Sequence, residues 1–183
     1  MSNSGAQIIY RGEKDMRKAV VLAFAFLVAA GLALAQDKTP NLSGTWVLDK
    51  TKSDAMGGPG GGGQMPDVTL VIDHQGTTLK IKRTTKTDQG DRVQEVVYTT
   101  DGTENKNPGG GRGGESKTKS TWEGGKLMTK GTVSFQMQDG TTNESPFSEV
   151  RSLSEDGKTL TIETTRTFRG EQRTTKQVFV KQG

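Results

Sequence analysis

Arg83, Glu149, Arg151 and Arg166 each fall an even number of residues from apolar neighbours in runs rich in Thr, Val and Ile. In "TLKIKRTTKT", Leu79 and Ile81 share a parity with Arg83 and Thr85. In "FSEVRSL", Phe147 and Leu153 flank Glu149 and Arg151, and in "TLTIETTRTF", Leu160, Ile162 and Phe168 match Thr164 and Arg166. Side chains two apart on a strand point the same way. If the apolar members face inward, so do the charges, and a buried charge needs a partner, water or a ligand. Arginines so placed can meet an anionic group through charge-assisted hydrogen bonds. The alternatives are that these positions lie at rims where an inner face meets solvent, or that a bulge, at Gly131 or elsewhere, shifts the register. In "RVQEVVYTT" the parity is open: Val93 and Val97 go with Glu95, Val96 and Tyr98 with the opposite face.

Other chemistry is poorly supplied. The chain has one His and no Cys. That removes Cys–His pairs, Ser–His triads and His-rich zinc sites, and no Asp-rich calcium loop of the EF-hand kind appears. We therefore expect no metal, no cofactor and no catalytic residue. A carboxylate base, Glu149 or Glu95, is the remaining enzymatic option. His74, in "DHQG", reads as an exposed turn residue. Two Gly-rich stretches, "TKSDAMGGPGGGGQMP" and "DGTENKNPGGGRGGES", lack the Gly-Lys-Ser/Thr ending of a phosphate loop and a helix to follow it, which argues against nucleotide binding.

The elements that must position these residues are short and regular. From Gly44 onward, nine alternating runs ("GTWVLD", "DVTLVID", "TTLKIKRTTKT", "RVQEVVYTT", "ESKTKSTW", "KLMTKGTVSFQM", "SPFSEVRSL", "KTLTIETTRTF" and "RTTKQVFVK") are separated by Gly, Asn and Asp turns. No amphipathic helix is evident. The pattern predicts an all-β antiparallel up-and-down meander, closed into a barrel of about 8–10 strands because closure removes exposed edges. Connections in a meander alternate ends. With nine strands, the two Gly-rich stretches are the first and fourth connections and should lie at opposite ends.

The N-terminal fifth reads differently. "MRKAVVLAFAFLVAAGLALAQDK" carries a basic start at Arg17 and Lys18, an apolar stretch from Ala19 to Leu32 and an Ala-x-Ala site at Ala33–Ala35. Residues 16–35 are expected to be a signal peptide cleaved before Gln36, since the run is a little short for the ~20 residues of a membrane span. No membrane span is then expected in the cleaved product, and with no Cys after the site it has no lipid anchor. Residues 1–15 fit no signal peptide. The purine-rich codons implied by Gly12-Glu13-Lys14 resemble a bacterial ribosome-binding site before Met16, so 1–15 is read as a misassigned start, or else an N-terminal extension. Residues 36–183 form one expected domain, exported to periplasm or medium. Removing 1–35 takes the formal net charge from +4 to +2, so the sequence pI of 9.3 is no argument for nucleic-acid binding. A Cys-free exported domain must bury an adequate core.

On "GTWVLDKTKSD", "TWEGGKLM" and "LSEDGKTLTIE", the chain from Asn41 to Lys181 resembles the lipocalin-like (calycin-type) barrels, and in particular small exported bacterial ones. It lacks their disulfide and C-terminal helix. The resemblance implies that Trp46 is a structural plug at the narrow end, stacked on a late-strand arginine, with Arg151, Arg166 and Arg173 as candidates. It also implies that the Thr51–Pro66 connection lies at the open end as a lid. Fatty-acid-binding relatives hold anionic head groups with Arg and Tyr, which adds Tyr98 to Arg83, Glu149, Arg151 and Arg166 as candidate ligand contacts. The expected function is a monomeric exported barrel that binds a small amphipathic or anionic molecule. A side-chain-filled structural or interaction module of the cell envelope is the alternative, and a barrel enzyme with a carboxylate base the third.

Overall fold

Ten strands alternate with tight turns in the computed structural model, which describes residues 39–55, 65–109, 114–136, 140–168 and 170–183. The strands are β1 (Gly44–Leu48), β2 (Val68–Gln75), β3 (Thr78–Thr87), β4 (Gly90–Thr99) and β5 (Asp101–Pro108) in the first half. The second half holds β6 (Glu115–Glu123), β7 (Lys126–Gln136), β8 (Thr142–Leu153), β9 (Thr159–Phe168) and β10 (Glu171–Lys181). All the described residues belong to one compact unit, Thr39–Gly183. The expected extension (1–15) and signal peptide (16–35) lie outside the described residues, as do 56–64 of the expected lid and 110–113 of the second Gly-rich stretch.

The strands form one antiparallel sheet in the order β4-β3-β2-β1-β10-β9-β8-β7-β6-β5. Neighbours in sequence pair throughout, and β1 pairs with β10, so the meander closes on itself except between β4 and β5. At that seam side chains replace the ladder. The Asn107 amide accepts from the Val97 N–H at 2.7 Å and donates to the Val97 carbonyl at 2.8 Å. Asn105 Nδ2 donates to Thr99 Oγ1 at 2.8 Å.

Strand β5 was not expected: "DGTENKNP" has no β-branched residue but Thr and was read as part of a loop. It is a strand because β6 pairs with it from Lys119↔Glu104 to Glu115↔Pro108, while its Asn side chains hold the seam. The tenth strand changes a parity. The second Gly-rich stretch becomes the fifth connection, so it leaves the barrel at the same end as the first and not at the opposite one. Nor does a bulge occur at Gly131, where register runs unbroken to both neighbours.

The core is the inner face of one end. Leu42, Trp46, Leu79, Leu127, Leu160 and Phe179 are fully buried there, with Ile72 and Ile81 nearly so. Leu42 lies in the segment that enters β1 and is tied down by its N–H donating to His74 Nδ1 at 3.3 Å. Trp46 Nε1 donates to the Leu42 carbonyl at 3.0 Å. Over the Trp46 ring sits Lys181 Nζ, 5.2 Å from the centroid, and none of the three candidate arginines. Gly44, at φ 141°, leaves room for the Lys181 stem: a Cβ there would stand 2.6 Å from Lys181 Cε. His74 is likewise not an exposed turn residue. It is buried on β2, with its ring stacked 5.8 Å from Trp122.

Candidate functional site

On four strands the inner-face side chains become steadily more exposed toward the other end, whereas on β2 they stay buried from His74 to Val68. Along β3 the series Leu79, Ile81, Arg83, Thr85 runs from buried to half-buried, and along β9 Leu160, Ile162, Thr164, Arg166 runs from buried to exposed. Strands β8 and β10 repeat it, from Arg151 to Asn143 and from Phe179 to Arg173. Along β3, β8, β9 and β10 the interior is therefore apolar and covered at one end, polar in the middle, and open to solvent beyond.

The five sequence candidates meet in that polar stretch. Arg83, Glu149, Arg151 and Arg166 are all on inner-face positions, opposite Leu70, Thr129, Leu127 and Phe147 respectively. The open parity on β4 resolves toward Tyr98, which stands opposite Leu79, with Val96 opposite Ile81. Glu95 consequently faces outward, where Lys82 lies 3.8 Å away, and takes no part in the interior.

Arg151 is the centre of the cluster, only 4% exposed. Its guanidinium makes an ion pair with Glu149, donates to Thr129 Oγ1 at 3.3 Å, and lies 4.7 Å above the Tyr98 ring. Burial opposes its charge, but the Glu149 carboxylate and Tyr98 outweigh that and hold its pKa above the ordinary value. Burial raises the Tyr98 phenol, against the pull of Arg151. Thr164 donates to Glu149 Oε2 at 3.3 Å, and Ser120 and Thr129 share a hydrogen bond of 2.8 Å. Arg151 is thus paired with protein groups, although its Nε is buried without a hydrogen-bond partner.

The other two arginines stand differently. Arg83 is half-buried and donates to Gln177 Oε1 at 3.3 Å. Its pKa is lowered by burial first, with Glu149 opposing and the like charge of Arg166 adding to the fall. Arg166 is exposed, its guanidinium 5.9 Å from the Phe147 centroid. Among the described residues of this stretch, Arg83, Arg151 and Arg166 outnumber the carboxylate of Glu149, which gives it a cationic surplus. Sequence reasoning missed Gln177 and Thr129 as partners here. Their parity with Phe179 and Leu127 was the available signal.

Among the described residues no cluster of three His, Cys, Asp or Glu could hold a metal ion, and no helix is long and apolar enough to cross a membrane. No family model matches the chain, and no curated protein matches it. Among solved structures it is similar to zebrafish ileal bile acid-binding protein complexed with cholic acid, with a TM-score of 0.47 and 16% identity over 76% of this chain and 98% of that one.

Proposed function

We propose that the barrel binds a small amphipathic molecule through an anionic head group held between Arg83 and Arg166. The supporting observation is the cationic surplus at the boundary between the apolar interior and the solvent-open half. Arg151 is matched to Glu149, so it positions the cluster and is not the group that meets the ligand, whereas an anion near Arg83 and Arg166 would relieve their mutual repulsion. Phe147 and Val96 offer half-buried apolar surface on the same inner face for the ligand's other part. This is a binding protein in our reading and not an enzyme: Glu149 is engaged by Arg151 and Glu95 faces outward. We propose further that it works as an exported monomer, on the strength of the signal-like residues 16–35; N-terminal sequencing from the native host should then begin at Gln36.

Displacement of an environment-sensitive dye by fatty acids and by the matching neutral alcohols tests the ligand. Arg83→Met and Arg166→Met should each weaken the fatty acids by roughly 1.5–3 kcal/mol, the worth of a charged hydrogen bond, and spare the alcohols. Equal losses for both ligand types, or no fatty acid bound by the wild type at micromolar concentration, would overturn the proposal. The packed Arg151–Glu149–Tyr98–Thr129 cluster favours a second reading, a barrel filled with its own side chains. Native mass spectrometry of freshly purified protein separates the two, since a co-purifying small molecule is expected only under the first.

A further inference from the structure

The outer face of β5, β6 and β7 carries a charge pattern that the barrel's interior does not explain. Lys106 stands directly opposite Lys117, and Lys119 directly opposite Lys130. Lys117 and Lys119 are two apart on β6, so the four side chains trace a Z across three strands on one face. Positions so related lie about 5 Å apart across strands and about 7 Å apart along one. All four are exposed, and among the described residues none has a carboxylate within ion-pair distance, although Glu104 stands opposite Lys119. Like charges directly opposite on paired strands destabilise a sheet. The other lysine-bearing outer face is arranged differently: Lys80 stands opposite Asp73, and Lys82 opposite Glu95.

Lys117, Lys119 and Lys130 line a groove of about 500 Å³ together with Thr121, Thr132, Met128 and Gly131, and two carboxylates, Glu104 and Glu123, share it. Gly131 shapes it. A Cβ there would run into the Lys117 carbonyl oxygen, so only glycine lets β7 approach β6 this closely beside the groove.

We propose that this groove docks an anionic polysaccharide, a linear chain bearing a carboxylate or sulfate on its repeating sugars. Lys117, Lys119 and Lys130, with Lys106 beside them, outnumber Glu104 and Glu123 and supply the charge complement, and the Thr121 and Thr132 hydroxyls supply partners for sugar hydroxyls. Single-stranded nucleic acid fits less well because the groove has no aromatic platform for stacking bases. A membrane surface fits less well because the face is concave and offers no exposed apolar wedge. An extended acidic peptide finds no free edge, since β6 and β7 are paired on both sides.

Binding of polygalacturonate and of heparin to the full protein, measured by biolayer interferometry at two salt concentrations, tests the proposal. Micromolar binding that weakens steeply with salt is expected, with at least a tenfold loss in Lys117→Ala/Lys130→Ala. The pair Lys106→Gln/Lys119→Gln should behave alike, which keeps the test standing if one variant folds poorly. Lys80→Ala/Lys82→Ala, on the other outer face, should bind as the wild type does. No polysaccharide binding, equal loss in the β3 control, or tighter binding of a charge-matched oligonucleotide, polyglutamate or phosphatidylglycerol vesicles would each overturn it.

Discussion

The covered end and the open half of this barrel are built from the same strands but stabilise their interiors by different physics. On β9, Leu160 and Ile162 serve one end, and Thr164 and Arg166 the other. At the covered end burial is apolar and non-directional, and two of its polar atoms have backbone partners, Trp46 Nε1 the Leu42 carbonyl and His74 Nδ1 the Leu42 N–H, while His74 Nε2 is buried without one. In the polar middle every charge needs a directional partner of its own. Arg151 finds three, in Glu149, Thr129 and Tyr98, while Arg166 rests on a ring at the solvent boundary. One end can therefore be repacked by size and shape, whereas the other is sensitive to single atoms.

The largest expected effect lies at the covered end. Trp46→Ala should cost about 3–5 kcal/mol in urea unfolding, through lost burial and the cavity left behind. Wild-type Trp fluorescence should be blue-shifted. An unchanged unfolding midpoint in the variant would remove the distinction between the two ends.

Next comes the buried pair. Glu149→Leu strands the Arg151 guanidinium at 4% exposure and should cost roughly 3 kcal/mol. Glu149→Leu combined with Arg151→Met should recover most of that loss, because an apolar pair carries no unpaired charge. If the double variant is as unstable as the sum of its parts, the two residues are not coupled and the picture of the polar middle fails.

The seam tests whether side chains substitute for a ladder. Asn107→Ala removes two hydrogen bonds to Val97 and should cost about 1 kcal/mol, with water taking up the freed backbone groups. Hydrogen exchange should quicken at Val97 before it does at the paired strands. Protection unchanged at Val97 would show that the amide bridge does not hold the seam.

The smallest effect is a pH dependence at the covered end. Burial, against the weaker pull of the Gly76 backbone and Asp73, lowers the His74 pKa from its ordinary 6.5. The folded state thus prefers the neutral ring, which also lets Nδ1 accept from Leu42. That contribution to stability is complete above pH 6.5 and is lost as the pH falls through 6.5 toward the lower folded value. His74→Phe should flatten this part of the stability profile; an identical slope in variant and wild type would rule His74 out as its source.

Much of this was legible in the sequence because it depends on short-range alternation. The all-β class, the antiparallel meander and the inward parity of Arg83, Glu149, Arg151 and Arg166 all follow from residues two apart. Alternation failed where it was balanced or absent. On β4, Val93 and Val97 competed evenly with Val96 and Tyr98, and the choice fell to Tyr98 because Leu79 stands opposite it. On β5, polar residues became a strand because β6 was there to pair with them.

What the sequence by itself determined is which side chains share a face, since that depends only on the two-residue repeat of the strand. What only the tertiary structure decided is whom each side chain meets: Lys181 and not an arginine over Trp46, Tyr98 beneath Arg151, Leu42 on His74, Gln177 on Arg83. Those partners are brought together by closure of the barrel and the stagger of its strands, and such long-range registration leaves no period in the chain to read.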